Sequence, residues 1–105
     1  LDTPKDKVLL ERLCEEQNIP LVHGAISGWF GQVCVVFPGE RTLSKFYGEQ
    51  EELAEIDGNP SFTPALVASL QVSEAVKVLL TKGDIMSAKM TLIDLYFNEI
   101  KTVEV

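Results

Sequence analysis

The stretch Gly31-Gln32-Val33-Cys34-Val35-Val36-Phe37 limits the possible folds of this chain more than any other segment. In an extended backbone alternate side chains point to opposite faces, so Val33, Val35 and Phe37 share one face and Cys34 and Val36 the other. Both faces are apolar, and such a strand is stable only inside a sheet covered on both sides. The sequence carries two helices suited to that cover. The first has Thr3 as its cap, Pro4 at the first helical position and Asp6 where a capping box wants an acid. Val8, Leu9, Leu10 and Leu13 form its expected apolar stripe, Glu11, Arg12, Glu15 and Glu16 its solvent face, and Asn18 and Pro20 its end. The second is expected to be capped by Thr63, to begin at Pro64 and to run to Gly83. Leu66, Leu70, Ala75 or Val76, and Leu79 or Leu80 keep the helical period, and Val67, Val72 and Val78 widen the stripe. With so few polar residues this helix reads as mostly buried, against the sheet on one side and a partner on another.

Residues 20–26 and 30–37 read as two strands joined by a Ser27-Gly28 turn, with Pro38-Gly39 closing the second. The closing stretch AKMTLIDLYFNEIKTVEV alternates in the same manner and turns near Asn98-Glu99, a terminal hairpin. Between the hairpins, residues 40–63 form a long acidic connection with a short helix expected around Glu49–Ile56. The predicted fold class is α/β: a mixed, largely antiparallel sheet of about four strands with two main covering helices, in one domain over residues 1–105.

The charge balance narrows the partners. Nine Lys and Arg stand against sixteen Asp and Glu, a net charge of −7, which is the wrong sign for a nucleic-acid face. No apolar run is expected to reach the length of a membrane span, and no secretory signal is visible. Cys14 and Cys34 sit among apolar neighbours and read as small buried hydrophobes, so a reducing cytoplasm is the expected compartment. A Cys34–His23 nucleophile pair exists on paper, because His23 is the one histidine, but neither position shows a group that would activate a thiol. Metal-ligand spacing is missing as well. Gly24, Gly28 and Gly31 are spaced GxxxGxxG and read as turn and close-packing residues, not as a dinucleotide loop. The acidic run over residues 40–57 reads as a solvated face. No catalytic residue follows from these patterns.

Three blocks nevertheless share a family likeness: LD at the start with a helix ending in a cysteine and then IPLVHGAISGWFGQV; NPSFTPALVASLQVSEAVKVLLTKGD; and MTLIDLYFNEIKTVEV. Together they resemble the second half of the ThiF/MoeB/HesA family, relatives of the ubiquitin-activating enzymes, over nearly the whole chain. The resemblance implies the C-terminal part of a ThiF-type Rossmann-like fold, with residues 40–63 as its crossover loop. It also implies an ATP- and Mg²⁺-dependent adenylyltransferase acting on the C-terminal glycine of a ubiquitin-fold sulfur-carrier protein, and a homodimer. The family's phosphate loop and ribose-binding acid have no counterpart here. Since the sequence opens at Leu1 and not at Met, a portion of a longer enzyme, inactive by itself, is expected. Asp2 matches the family's Mg²⁺-binding Asp, with Thr3 in place of the usual Asn. Residues 58–64 fall near the implied path of the carrier tail, which makes Asn59, Ser61 and Thr63 candidate contacts. The family's paired zinc cysteines and its loop cysteine have no match, so zinc is not expected. A non-catalytic interaction or dimerisation module is the alternative reading.

Overall fold

The computed structural model describes residues 3–48 and 59–105. Helix α1 (Pro4–Glu16) leads into the strands β1 (Leu21–Ser27) and β2 (Phe30–Val36), followed by a short helix α2 (Thr42–Tyr47). The long helix α3 (Phe62–Leu80) and the hairpin of β3 (Lys89–Asp94) and β4 (Glu99–Glu104) complete the order. The four strands form one sheet in the order β1-β2-β3-β4, every neighbouring pair antiparallel. Its parallel component is the single bridge between Val35 and Ser87, where the Val35 amide donates to the Met86 carbonyl over 2.7 Å.

The two-faced strand occupies the place its sequence requires. Val33, Cys34 and Val35 in β2 are fully buried, between β1 and β3 in the sheet and between helices above and below. On one face Val33 and Ile93 pack with Val67 of α3. On the other, Cys34, Val36 and Met90 pack with Leu43 and Tyr47 of α2 and with Val8 of α1. The β1–β2 register pairs Ser27 with Phe30, so the turn residues are Gly28 and Trp29, one position later than the sequence suggests. Gly28 takes φ of +62°, a conformation glycine reaches without strain. The expected helix near Glu49–Ile56 lies outside the described residues. α2 stands instead at Thr42–Tyr47, where the sequence predicts only connection.

The start of α1 follows its signals: the Asp6 amide donates to Thr3 Oγ1 over 3.1 Å, with Pro4 in the first turn. Its expected stripe holds at Val8, which packs on the core, and its solvent face at Arg12 and Glu16, but the rest is overturned. Lys7 and Glu11 are buried, whereas Leu9, Leu10 and Leu13 are exposed. The reason lies in α2, whose first residue Thr42 follows a left-handed Arg41 that offers no side-chain cap. Glu11 supplies the cap from another helix, accepting from the Leu43 amide (2.6 Å), the Ser44 amide (3.0 Å) and the Ser44 hydroxyl (2.6 Å). A carboxylate at a helix N-terminus, with its lone pairs occupied, can be buried at tolerable cost.

α3 also departs from its sequence signals. It begins at Phe62 with Ser61 at the N-cap, whose side chain makes no capping bond, so Thr63 is not the cap. Thr63 lies inside the first turn, buried against the sheet, and among the described residues its hydroxyl oxygen has no partner. The helix stops at Leu80 and not at Gly83: Thr81 is left-handed, and the Lys82 amide donates back to the Lys77 carbonyl over 3.1 Å. The inner stripe is Thr63, Val67, Gln71 and Glu74, while Val72, Val76, Leu79 and Leu80 are exposed, so the helix is not mostly buried. By length and composition alone α3 is apolar enough to cross a bilayer, contrary to expectation. Here it lies along β1 and β2 with Glu74 fully buried on the sheet side. That carboxylate accepts from the Met86 amide over 2.6 Å and pairs with Lys77, which donates to the Asp84 carbonyl over 2.6 Å. The clasp ties the α3–β3 link to the helix.

Two glycines set how close α3 comes. A Cβ on Gly31 would lie 2.6 Å from Val67 Cγ2, and one on Gly24 would meet the Gln71 side chain. Small residues in the strands therefore let the helix backbone approach, as the spacing of these glycines suggests.

Candidate functional site: an open groove on the sheet

Among the described residues, α1 and α2 cover only part of their sheet face. What they leave open follows from the strand alternation: Ala25 and Ser27 of β1, Phe30 and Gln32 of β2, Leu92 and Asp94 of β3, and Glu99 and Lys101 of β4. Lys7 and Tyr47 wall the helical side, and the groove measures about 290 Å³. Its floor is largely apolar and its rim carries both signs of charge, the usual make-up of a binding cleft.

A small polar network closes the helical end. Gln32 Oε1 accepts from the Tyr47 hydroxyl over 2.9 Å and faces His23 Nε2 at 3.3 Å. His23 and Tyr47 meet edge to face with ring centroids 6.2 Å apart, and Lys7 Nζ lies 5.8 Å from the Tyr47 ring centroid. Burial pulls the His23 imidazole down to about 4, against the Gln32 hydrogen bond and helped by the Lys7 charge. Burial likewise pushes the Tyr47 hydroxyl up to about 12. At neutral pH both groups are uncharged.

At the turn end, aromatic side chains cluster. Trp29 meets Phe62 at 4.8 Å and Tyr96 at 5.3 Å between ring centroids, and Phe97 meets Tyr96 at 5.1 Å. Asp94 holds this end by accepting from the Tyr96 amide (2.9 Å) and the Phe97 amide (3.2 Å).

Of the residues singled out by resemblance, Asp2 lies outside the described residues. Asn59 lies beside the β1–β2 turn, where its Oδ1 accepts from the Gly28 amide over 2.7 Å. Ser61 is the exposed N-cap of α3, and Thr63 is turned under the helix with its hydroxyl buried. The three follow one another along the chain, but only Asn59 is bonded to the hairpin that lines the groove. Gln32, Tyr47 and Lys7 are site residues that sequence reasoning missed. The alternation of Ala25, Ser27, Phe30 and Gln32 on one face was the available signal for Gln32. For Tyr47 none existed, because a six-residue helix is too short to show a period.

The Cys34–His23 pair is adjacent, the two residues standing opposite each other in the β1–β2 register. Its electrostatics oppose nucleophilic chemistry. Cys34 is fully buried and its thiol is pushed up to about 12 by burial and by the charges of Glu11 and Glu40. Among the described residues no group of three His, Cys, Asp or Glu gathers in metal-binding geometry. The described residues do not fit a nucleotide either. Gly24 and Gly31 are filled by Gln71 and Val67, Gly28 is bonded to Asn59, and the Gly39 loop leads to an α2 N-terminus whose amides already donate to the Glu11 carboxylate.

Comparison with known proteins gives the fold and sequence a context. A SAMP-activating enzyme E1 of Haloferax volcanii is 28% identical over 102 residues, covering 92% of this chain and 38% of that protein. Among solved structures, a selenomethionine crystal structure of PaaA aligns with a TM-score of 0.68 at 11% identity, over 96% of this chain and 33% of that one. A heterocyclase in complex with substrate and cofactor aligns with a TM-score of 0.70 at 11% identity, over 93% of this chain and 17% of that one. This chain thus spans little more than a third of the length of the curated relative and less of the solved structures. The ThiF family matches the sequence from residue 1 to residue 105, and the chain belongs to that family.

Proposed function

We propose that this chain forms the carrier-binding part of an ATP-dependent adenylyltransferase that activates the C-terminus of a ubiquitin-fold sulfur-carrier protein. One observation carries the reading: the open groove on the sheet is flanked by both described ends of the 48–59 connection. Tyr47 lines its helical wall, and Asn59 is bonded to the turn beside Ser27. A mainly apolar groove of about 290 Å³ has room for a short extended tail of small residues. Membership of the ThiF family and likeness to an activating enzyme support the same class. ATP and Mg²⁺ belong to this proposal, with Asp2 as the proposed Mg²⁺ ligand. Because the described residues do not fit a nucleotide, the role assigned to them is to hold the carrier. Asn59 is the proposed tail contact beside the β1–β2 turn, and Ser61 and Thr63, at the start of α3, belong to the proposal through the family resemblance alone. The reading places the protein in the cytoplasm.

Fluorescence anisotropy with a labelled carrier ending in Gly-Gly tests it. Phe30 is half exposed on the groove floor, so Phe30→Arg places charge there with little risk to the core. The intact carrier is expected to bind, and Phe30→Arg or removal of its tail should weaken binding about tenfold or more. Equal binding by the tail-less carrier would overturn the reading.

A second reading, homodimerisation, is favoured by the outer face of α3, where Val72, Val76, Leu79 and Leu80 are exposed, Leu79 at 82%. Sedimentation should then show a dimer at micromolar concentration that Leu79→Glu dissociates. A clean monomer would contradict it.

A further inference from the structure

At the helical end of the groove the Gln32 amide stands with its oxygen toward two polar partners. Gln32 Oε1 faces both the Tyr47 hydroxyl (2.9 Å) and His23 Nε2 (3.3 Å), and an amide oxygen only accepts. With the oxygen on that side Tyr47 and His23 both donate, which is the role of the His23 tautomer that carries its proton on Nε2. The two lone pairs of the oxygen are then occupied, which turns the NH₂ away from the pair. Gln32 lines the cavity, and among the described residues its amide nitrogen has no partner. Two donor hydrogens are thus held at a wall that is otherwise mainly apolar.

We propose that Gln32 is a specificity-determining residue of the groove, its NH₂ donating to a backbone carbonyl oxygen of an extended peptide, with His23 and Tyr47 as the positioning residues that aim it. The proposal rests on the groove being the path of a carrier tail and adds how that tail is read. An extended chain presents a carbonyl at every residue, so a fixed donor selects a backbone conformation and register and not a side chain. The geometry also explains the presence of His23 at a buried position where it stays neutral. A charged group there would be costly, and an apolar one would leave Gln32 free to turn.

Nuclear magnetic resonance on the ¹⁵N-labelled chain, with an unlabelled synthetic peptide ending in Gly-Gly as the probe, tests this. Backbone amides of Ala25, Gly31 and Leu92 should shift on titration, and the side-chain NH₂ of Gln32 should move downfield with them. Gln32→Glu keeps an acceptor for Tyr47 and His23 but replaces the donors with a carboxylate oxygen, and should weaken the peptide about tenfold or more. Tyr47→Phe leaves residue 32 untouched, so it reads the same claim whether or not the Glu variant folds. It should weaken binding roughly threefold to tenfold and broaden the Gln32 NH₂ signals, with the thermal midpoint little changed. Backbone shifts in the groove with an unmoved Gln32 NH₂, or wild-type affinity in both variants, would overturn the assignment and leave the groove reading intact. Absence of any shift in the groove would overturn both.

Discussion

His23 and Cys34 stand opposite each other on neighbouring strands, and burial drives their titrations in opposite directions. The thiol near 12 stays protonated at any ordinary pH, so native Cys34 should resist iodoacetamide while the partly exposed Cys14 reacts. Mass spectrometry of the alkylated native protein checks this, and equal labelling of the two would contradict it. For His23 the folded value near 4 lies below its ordinary 6.5. Above pH 6.5 the ring is neutral whether folded or unfolded, and stability is unaffected. Between 6.5 and 4 the unfolded chain takes up a proton that the folded chain refuses, so stability falls as pH falls and levels off below 4. At pH 5 the loss from this residue is on the order of 2 kcal/mol. Urea unfolding at pH 7 and pH 5 should show that His23→Gln loses less stability than the wild type over that interval. Parallel losses would show that the ring is not desolvated in the native state.

At the scale of elements, helix α2 depends on a carboxylate borrowed from α1. Glu11→Ala leaves the Leu43 and Ser44 amides without their acceptor and should destabilise the protein by about 2–4 kcal/mol. Glu15→Ala, which breaks the exposed pair with Arg41 one turn further on, should have a far smaller effect in the same chemical-denaturation assay. Similar losses for the two would contradict the capping role. The contact of α3 with β2 gives a second test. Gly31→Ala pushes a methyl into Val67 and should cost about 1–3 kcal/mol, and Val67→Ala in the same chain should recover part of it. Strict additivity of the two substitutions would count against that close approach. Legibility differed between these elements for physical reasons. The start of α1 was readable because its cap is local, Thr3 to Asp6. Its buried face was not, because Glu11 is drawn inward by a helix more than thirty residues away, which no period in α1 records. The Thr63-Pro64 pair resembles a helix start, yet proline at any first-turn position lacks only an amide that the helix does not use.

For the whole molecule, the two-faced β2 strand determines the layering. It demanded a sheet covered above and below, and the structure has α3 on one face and α1 with α2 on the other. The hairpins were legible from alternation, and so was the largely antiparallel sheet. The groove was not, because its lining among the described residues comes from four strands and two helices far apart in sequence. Of the residues named by resemblance, Asn59 is bonded to the β1–β2 turn through the Gly28 amide. The central claim is that this groove receives a carrier tail, and photocross-linking tests it most directly. A ubiquitin-fold carrier with a benzophenone near its C-terminus, irradiated with this chain, should give adducts on residues 25–32 and 92–94. Adducts on the outer face of α3, or adduct formation unchanged by Phe30→Arg, would contradict it.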